Sequence, residues 1–407
     1  MNKISTYKSF FISFVFLLFH TSFLYGQNTI NANQGYVEQQ KYLTTVSYEE
    51  IKGKIIIDVV INNKNRKFIL DTGAVTVISE NLHHELTPKS LGQMEIIDQS
   101  GLEDTLNVVS MPEMKFGELS FKDIPAVVSK ESKIFFECFG VDGFIGSNLL
   151  RNSVVQFNSK DKTISFSDNP KSLNLKKKYS NNMELSAIQS NPFVWIKLQK
   201  GKSFAKEKVL FDTGADGLYT MSIFAYNHII SEKLNIFETL AESEGTFSVG
   251  LHGTANKSLN YAVNIPTLEV NNFKLNNITT KTTSGQTSLF GSEILNYGKV
   301  TLDYINRKFY LEPFENVSEF NIEERIWTIE PILENEKIII GTVWDKTLNG
   351  KINVGDEILK FDTIDYQNLD FCEIVRSNNK SEKTKALLVL KDVKTGKIKN
   401  VEIQKLR

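Results

Sequence analysis

The chain has few cysteines, prolines, tryptophans and histidines: 2, 8, 3 and 5 in 407 residues. Two cysteines cannot build the cross-linked frame of a small stapled domain, so the chain must rely on its own packing. Cys138 and Cys372 lie far apart in sequence, and each reads as a small core thiol rather than half of a disulfide. His83-His84-Glu85 lacks the H-E-x-x-H spacing of zinc hydrolases, and no G-x-S-x-G or phosphate-binding loop is present. A net charge of −1 leaves no broad basic surface for nucleic acid. Long apolar runs are also missing, with one exception near the start. There FFISFVFLLF (10–19) follows Lys3 and Lys8 and precedes Gly26. This pattern reads as an export signal over 1–26, with 27–45 as a flexible leader. The expectation is an exported monomer, periplasmic or extracellular, with no membrane span once the signal is removed.

What is present suits a globular protein of two to four domains. The chain is 41% hydrophobic, carries 28 Phe and 13 Tyr, and is dominated by strand-like runs. The strongest pattern is an internal repeat. KFILDTGAVTVI (67–78) and EKVLFDTGADGL (207–218) each end an apolar run in Asp-Thr-Gly-Ala, with Asp71 and Asp212 141 positions apart. A second apolar segment reaches Gly146 and Gly291, 75 and 79 residues downstream of the two aspartates. There Phe144-Ile145-Gly146-Ser147 matches Leu289-Phe290-Gly291-Ser292, and each copy continues as strand, polar turn, strand. The repeat gives one structural unit used twice, over 46–170 and 183–318. The polar stretch 171–182, with Lys176–Lys178, reads as a linker between them. The segment Glu232–Ala241 reads as an amphipathic helix packed on the second unit.

A carboxylate at the end of a buried strand is costly unless something pairs with it or uses it. If the two units pack about a pseudo-two-fold axis, Asp71 and Asp212 meet. Two charges about 3 Å apart at an effective dielectric of about 20 repel by roughly 5 kcal/mol, or about four pKa units. The pair must therefore share one proton. One carboxylate can then activate a water as general base while the other protonates a carbonyl oxygen, chemistry that requires neither metal nor cofactor. Gly73 and Gly214 allow the tight turn, Thr72 and Thr213 can bond across the axis, and Gly146 and Gly291 let a strand pass close beneath each loop. The acidic DTGADG run is no calcium loop, because Gly214 and Ile223 stand where oxygen ligands are required.

These motifs resemble those of bilobal, pepsin-like aspartic proteases over about residues 46–315. In detail Asp-Thr-Gly-Ala and FIGSNLL are similar to the retroviral branch. The resemblance implies a mainly β fold of two pseudo-symmetric lobes. It also implies an endopeptidase with Asp71 and Asp212 as catalytic dyad, acting on a polypeptide substrate. Ala74 and Ala215 stand where pepsin-like enzymes carry a hydroxyl, which implies a less acidic working range. Ser147 and Ser292 replace the arginine of retroviral enzymes, so no ion-pair network is expected there. Flap candidates are the turns at Ser100-Gly101 and Gly250–Gly253, the latter including His252.

Residues 325–407 form a third unit. GTVWDKTLNGKINVGDEILKFD, with Val354-Gly355-Asp356-Glu357, resembles a bacterial PDZ domain. That implies a small β/α module able to take a peptide ligand by strand addition. A structural cap on the lobes is the alternative role for it. A competing function for the whole chain is a non-catalytic peptide-binding protein of the cell envelope on a protease scaffold. A buried repulsive carboxylate pair argues against it.

Overall fold

The computed structural model describes residues 30–406 apart from 99, 131, 247–248, 251–252, 316, 323–324 and 378–382. The expected signal segment 1–26 and His252 lie outside the described residues.

Alternating and fully apolar runs become strands in two similar lobes. In the first, Lys54–Ile61 pairs with Lys64–Asp71, and Gly143–Gly146 lies parallel to the end of the latter. In the second, Pro192–Lys200 pairs with Ser203–Asp212, and Leu289–Gly291 lies parallel to its end. The register is the same in both, with Gly146 opposite Asp71 and Gly291 opposite Asp212. Each aspartate loop is followed by a short strand and a helix, Glu80–Leu86 or Ile223–Ser231. Ser79 and Ser222 cap these helices by accepting from Leu82 N and Ala225 N.

The lobes are fused by one antiparallel sheet. Its order is Leu43–Ser47, Thr163–Ser167, Val154–Asn158, Gly298–Asp303, Lys308–Pro313, Ser180–Leu185. The central pair sets Val155 against Leu302 and Phe157 against Val300, which places the pseudo-two-fold axis between these strands. Phe157, Phe166, Val300, Leu302, Phe309 and Leu311 are fully buried in a core that runs through both lobes. Burial on this scale, at about 25 cal/mol per Å² of apolar surface, holds the lobes together.

Three expectations change. The stretch read as a flexible leader is packed from residue 30 onward: Ala32 is fully buried, Tyr36–Val37 pairs with Phe121 and Lys122, and Leu43–Ser47 is the outer strand of the shared sheet. Its Asn and Gln side chains hide this role, because they are held by hydrogen bonds rather than apolar burial. The linker ends early: Pro170–Leu173 and Lys177–Tyr179 are 3-10 turns, and Ser180 already begins a strand. No helix spans Glu232–Ala241. The preceding helix ends at Glu232, Lys233 takes φ +55°, and Glu238–Gly245 is a strand. Pairing with Ser258–Val270 outweighs the local helical pattern.

The C-terminal module is a six-stranded sheet in the order Ile329–Glu334, Lys337–Val343, Glu357–Phe361, Lys385–Lys391, Ile398–Gln404, with Ile364–Asp365 paired to Glu357–Phe361 off this path. A bridge between Trp327 and Lys405 links its two edges. The short helix Phe371–Arg376 carries a capping box made by Asp370 and Glu373. Buried Asp356 organises the Val354–Glu357 turn, accepting from Asn353 N at 2.7 Å and Val393 N at 2.9 Å and pairing with Lys399 at 2.6 Å.

Cys138 and Cys372 are joined in a disulfide, contrary to the separate thiols expected. The bond ties the first lobe to the module's helix. Around it, Phe136 and Phe139 of the lobe pack with Val375, Phe371 and Leu333 of the module. Lys133 pairs with Glu336 at 2.7 Å, and Lys52 Nζ donates to Val375 O at 2.7 Å. The side of the module that carries Leu333 of its first strand and Phe371 and Val375 of its helix is thus packed on the first lobe.

Candidate active site

Each aspartate ends a buried strand and turns back through Thr-Gly-Ala. Gly73 N donates to Asp71 Oδ1 at 2.9 Å and Gly214 N to Asp212 Oδ1 at 2.8 Å. The threonines lock the loops together. Thr72 N donates to Thr213 Oγ1 at 3.0 Å and Thr213 N to Thr72 Oγ1 at 3.0 Å. Their hydroxyls donate onward to Phe211 O at 2.7 Å and Leu70 O at 2.8 Å. All four groups are buried, so each of these bonds is costly to leave unmade. A Thr72→Val variant would orphan Thr213 N and Phe211 O. We expect it to lose about 2–4 kcal/mol of stability, read from the midpoint of denaturant unfolding; an unchanged midpoint would refute this role for the crossed threonines.

The glycines set how closely the halves meet. A Cβ on Gly73 would stand 2.5 Å from Asp212 Cγ, and one on Gly214 would stand 2.4 Å from Asp71 Cγ. Each carboxyl therefore lies against the opposite loop, where no side chain fits. Gly146 and Gly291 press equally close against backbone of the Ala74–Thr76 and Ala215–Gly217 segments. Ser147 and Ser292 hold loop carbonyls: Ser147 Oγ donates to Thr72 O at 2.7 Å, and Ser292 Oγ to Ala215 O at 3.1 Å. Ala74 N and Ala215 N each reach back 3.3 Å to the carbonyl of their own aspartate.

The two carboxyls face each other across the axis, each against the glycine of the opposite loop. Desolvation, followed by the charge of Asp212, holds Asp71 well above the usual carboxylate range. Desolvation also raises Asp212, but the bond from Asp71 and the Gly214 amide pull it back. Both carboxyls are thus held above the usual range, and the pair shares one proton.

Two residues that the sequence analysis missed complete the floor. Continuing the strand registers places Lys54 opposite Asp71 and Asn191 opposite Asp212. They make pseudo-equivalent bonds across the axis. Lys54 Nζ donates to Gly214 O and pairs with Asp216 at 2.7 Å, while Asn191 Nδ2 donates to Gly73 O at 2.6 Å. Only strand register could have revealed them, because neither sits in a motif. The Lys54 charge lowers both carboxyls of the dyad. Lys54→Gln keeps a donor for Gly214 O but removes the charge. It should therefore move the pH–activity profile upward, as a pH series of kcat/KM would show; a profile in place or moved downward would contradict this.

The two flap candidates meet each other. Asp98, at the tip of the hairpin Lys89–Ile97/Glu103–Phe116, lies against Gly250, where a Cβ would stand 2.1 Å from Asp98 Oδ2. Leu102 faces Gly253 at 3.8 Å from its Cβ position. The root of the second flap is held by the module, with Thr246 N donating to Gly341 O at 3.1 Å.

Residues 57–149 match the aspartyl protease family model. That span holds Asp71, its Thr-Gly-Ala turn and Gly146, and supports an aspartic protease. No curated protein sequence matches the chain. Among solved structures, the chain is similar to a retropepsin-like aspartic protease from Rickettsia conorii, 16% identical, covering 33% of this chain and 94% of that one at a TM-score of 0.24. It is also similar to conglutin gamma, a basic 7S globulin from lupine seeds, 11% identical, covering 67% of this chain and 95% of that one at a TM-score of 0.40.

Proposed function

We propose that the protein is an exported aspartic endopeptidase that hydrolyses peptide bonds in an extended polypeptide held between its lobes. The observation carrying this reading is the facing pair Asp71 and Asp212, both buried and each set against the glycine of the opposite loop. In the reaction, Asp212 takes a proton from a water as the water oxygen attacks the substrate carbonyl carbon. Asp71 gives its proton to the carbonyl oxygen, forming a neutral tetrahedral diol. Collapse of the diol breaks the C–N bond as Asp212 passes its new proton to the leaving nitrogen and Asp71 takes a proton back from a diol hydroxyl, which releases amine and carboxylic acid and restores the shared proton. The two flaps exclude bulk water and hold the substrate chain.

Export is supported by the apolar run near residue 10 and by the Cys138–Cys372 bond, which persists in oxidising compartments. The PDZ-like module supports the lobes and walls the cleft; its strand-and-helix side is occupied by the first lobe. The test is cleavage of an unstructured protein from acid to neutral pH, with and without a statine-type inhibitor. Inhibitable cleavage is expected; a folded protein that cuts nothing at any pH would overturn the reading.

A further inference from the structure

The halves of the site match closely at the dyad and part company at their outer ends. Val75 and Asp216 hold equivalent places, each four residues beyond its aspartate. Val75 is buried in one apolar cluster with Ala32 of the N-terminal segment. From there Asn33 reaches the second lobe, donating through Nδ2 to Ala187 O at 2.8 Å and accepting from Ser190 Oγ at 2.7 Å. Asn148 holds the same segment on the first lobe, donating to Ala32 O at 3.3 Å. The segment therefore spans both lobes beside Val75 and Asn191 and fills that end of the site.

The Asp216 end is open. The Asp216 side chain is 52% exposed. With Gly53 and Gly217 it lines a cavity of about 1190 Å³, bounded by both lobes and by Trp327 and Phe361 of the C-terminal module. Ligand sites usually fall in the range of about 300–1,000 Å³, so the space can take a length of chain. Tyr48 also lines it.

We propose that the substrate is bound along its length on one side of the scissile bond only. Its chain would leave the dyad past Asp216 into this cavity, while the segment around Ala32 and Asn33 stops it on the Val75 side. This rests on the peptidase reading of Asp71 and Asp212. The module then acts as the far wall of an extended subsite rather than as a separate peptide-capture groove. Remote contacts of this kind raise kcat/KM through binding energy far from the reacting atoms.

The experiment is a series of peptides around one cleaved bond, lengthened residue by residue on either side. It is assayed with the intact protein and with Asn296→Trp, which puts bulk into the cavity from an exposed position on its wall. We expect kcat/KM to rise by about tenfold or more on lengthening one side and to stay nearly flat on the other. Asn296→Trp should remove that gain while short peptides are cut as before. Equal gains on both sides, no gain on either, or a gain unaffected by Asn296→Trp would overturn the proposal. The same peptides are titrated against Asp212→Asn protein, so that length-dependent affinity is read without turnover. One-sided affinity without cleavage by the unaltered protein would overturn the hydrolytic reading and leave the one-sided subsite standing.

Discussion

Asp71→Asn and Asp212→Asn are each expected to lower kcat/KM by about 10³–10⁴-fold or more, without loss of the fold. The two carboxyls act as one acid–base unit, so either amide removes the shared proton and the double variant should be little worse than a single one. An amide at either position keeps the shape of the loop and can still accept from the Gly73 or Gly214 amide. The same substitution has a second, opposite effect. Burial and the Asp212 charge hold the Asp71 carboxyl well above its ordinary value. Between the ordinary and the raised value, the folded protein keeps a proton that the unfolded chain has released. Stability must therefore fall as pH rises through that window. Asparagine does not titrate, so Asp71→Asn should be more stable than the parent above the window, and that advantage should shrink as pH falls through it. Denaturant unfolding of both proteins in acid and at neutral pH checks this. A dead variant with no pH-dependent stability gain would mean that Asp71 is not held protonated, and an active one would remove the dyad altogether.

Breaking the Cys138–Cys372 bond is expected to have the next largest effect. The two residues are 234 positions apart. Chain-entropy arguments for a loop longer than 100 residues give about 4–5 kcal/mol. That loss should fall mainly on the docking of the C-terminal module. The docked module holds Lys52 through Val375 O and the root of the second flap through Gly341 O. Lys52 lies in the same hairpin as Lys54, which grips the Gly214 carbonyl beside the dyad. We therefore expect Cys138→Ser, or reduction of the wild type, to lower the melting temperature, expose the 318–328 connection to limited proteolysis and reduce peptidase activity together. Unaltered melting and protease resistance would show that apolar packing alone fixes the module.

How far the site could be read from the sequence depended on whether its parts repeat. The two Asp-Thr-Gly-Ala turns and the glycines 75 and 79 residues later stand out because each appears twice in the same order. A buried acid at a strand end has few explanations. By contrast, Lys54 and Asn191 occupy equivalent positions with unlike side chains, so no repeat marks them. Asn33, Asn148 and Ser190 look like ordinary loop polars until hydrogen bonds from both lobes are seen to converge on the N-terminal segment.

The sequence by itself determined the strand-rich fold class, the duplication and the two carboxylates, because these follow from local periodicity and from residues whose burial must be justified. Only the tertiary structure decided which distant segments meet. The Cys138–Cys372 bond, the packed segment before residue 45, the early strand at Ser180 and the cavity beside Asp216 all depend on pairings between parts of the chain far apart in sequence. Loop closure costs little more for a long separation than for a moderate one, so spacing along the chain carries almost no information about such contacts.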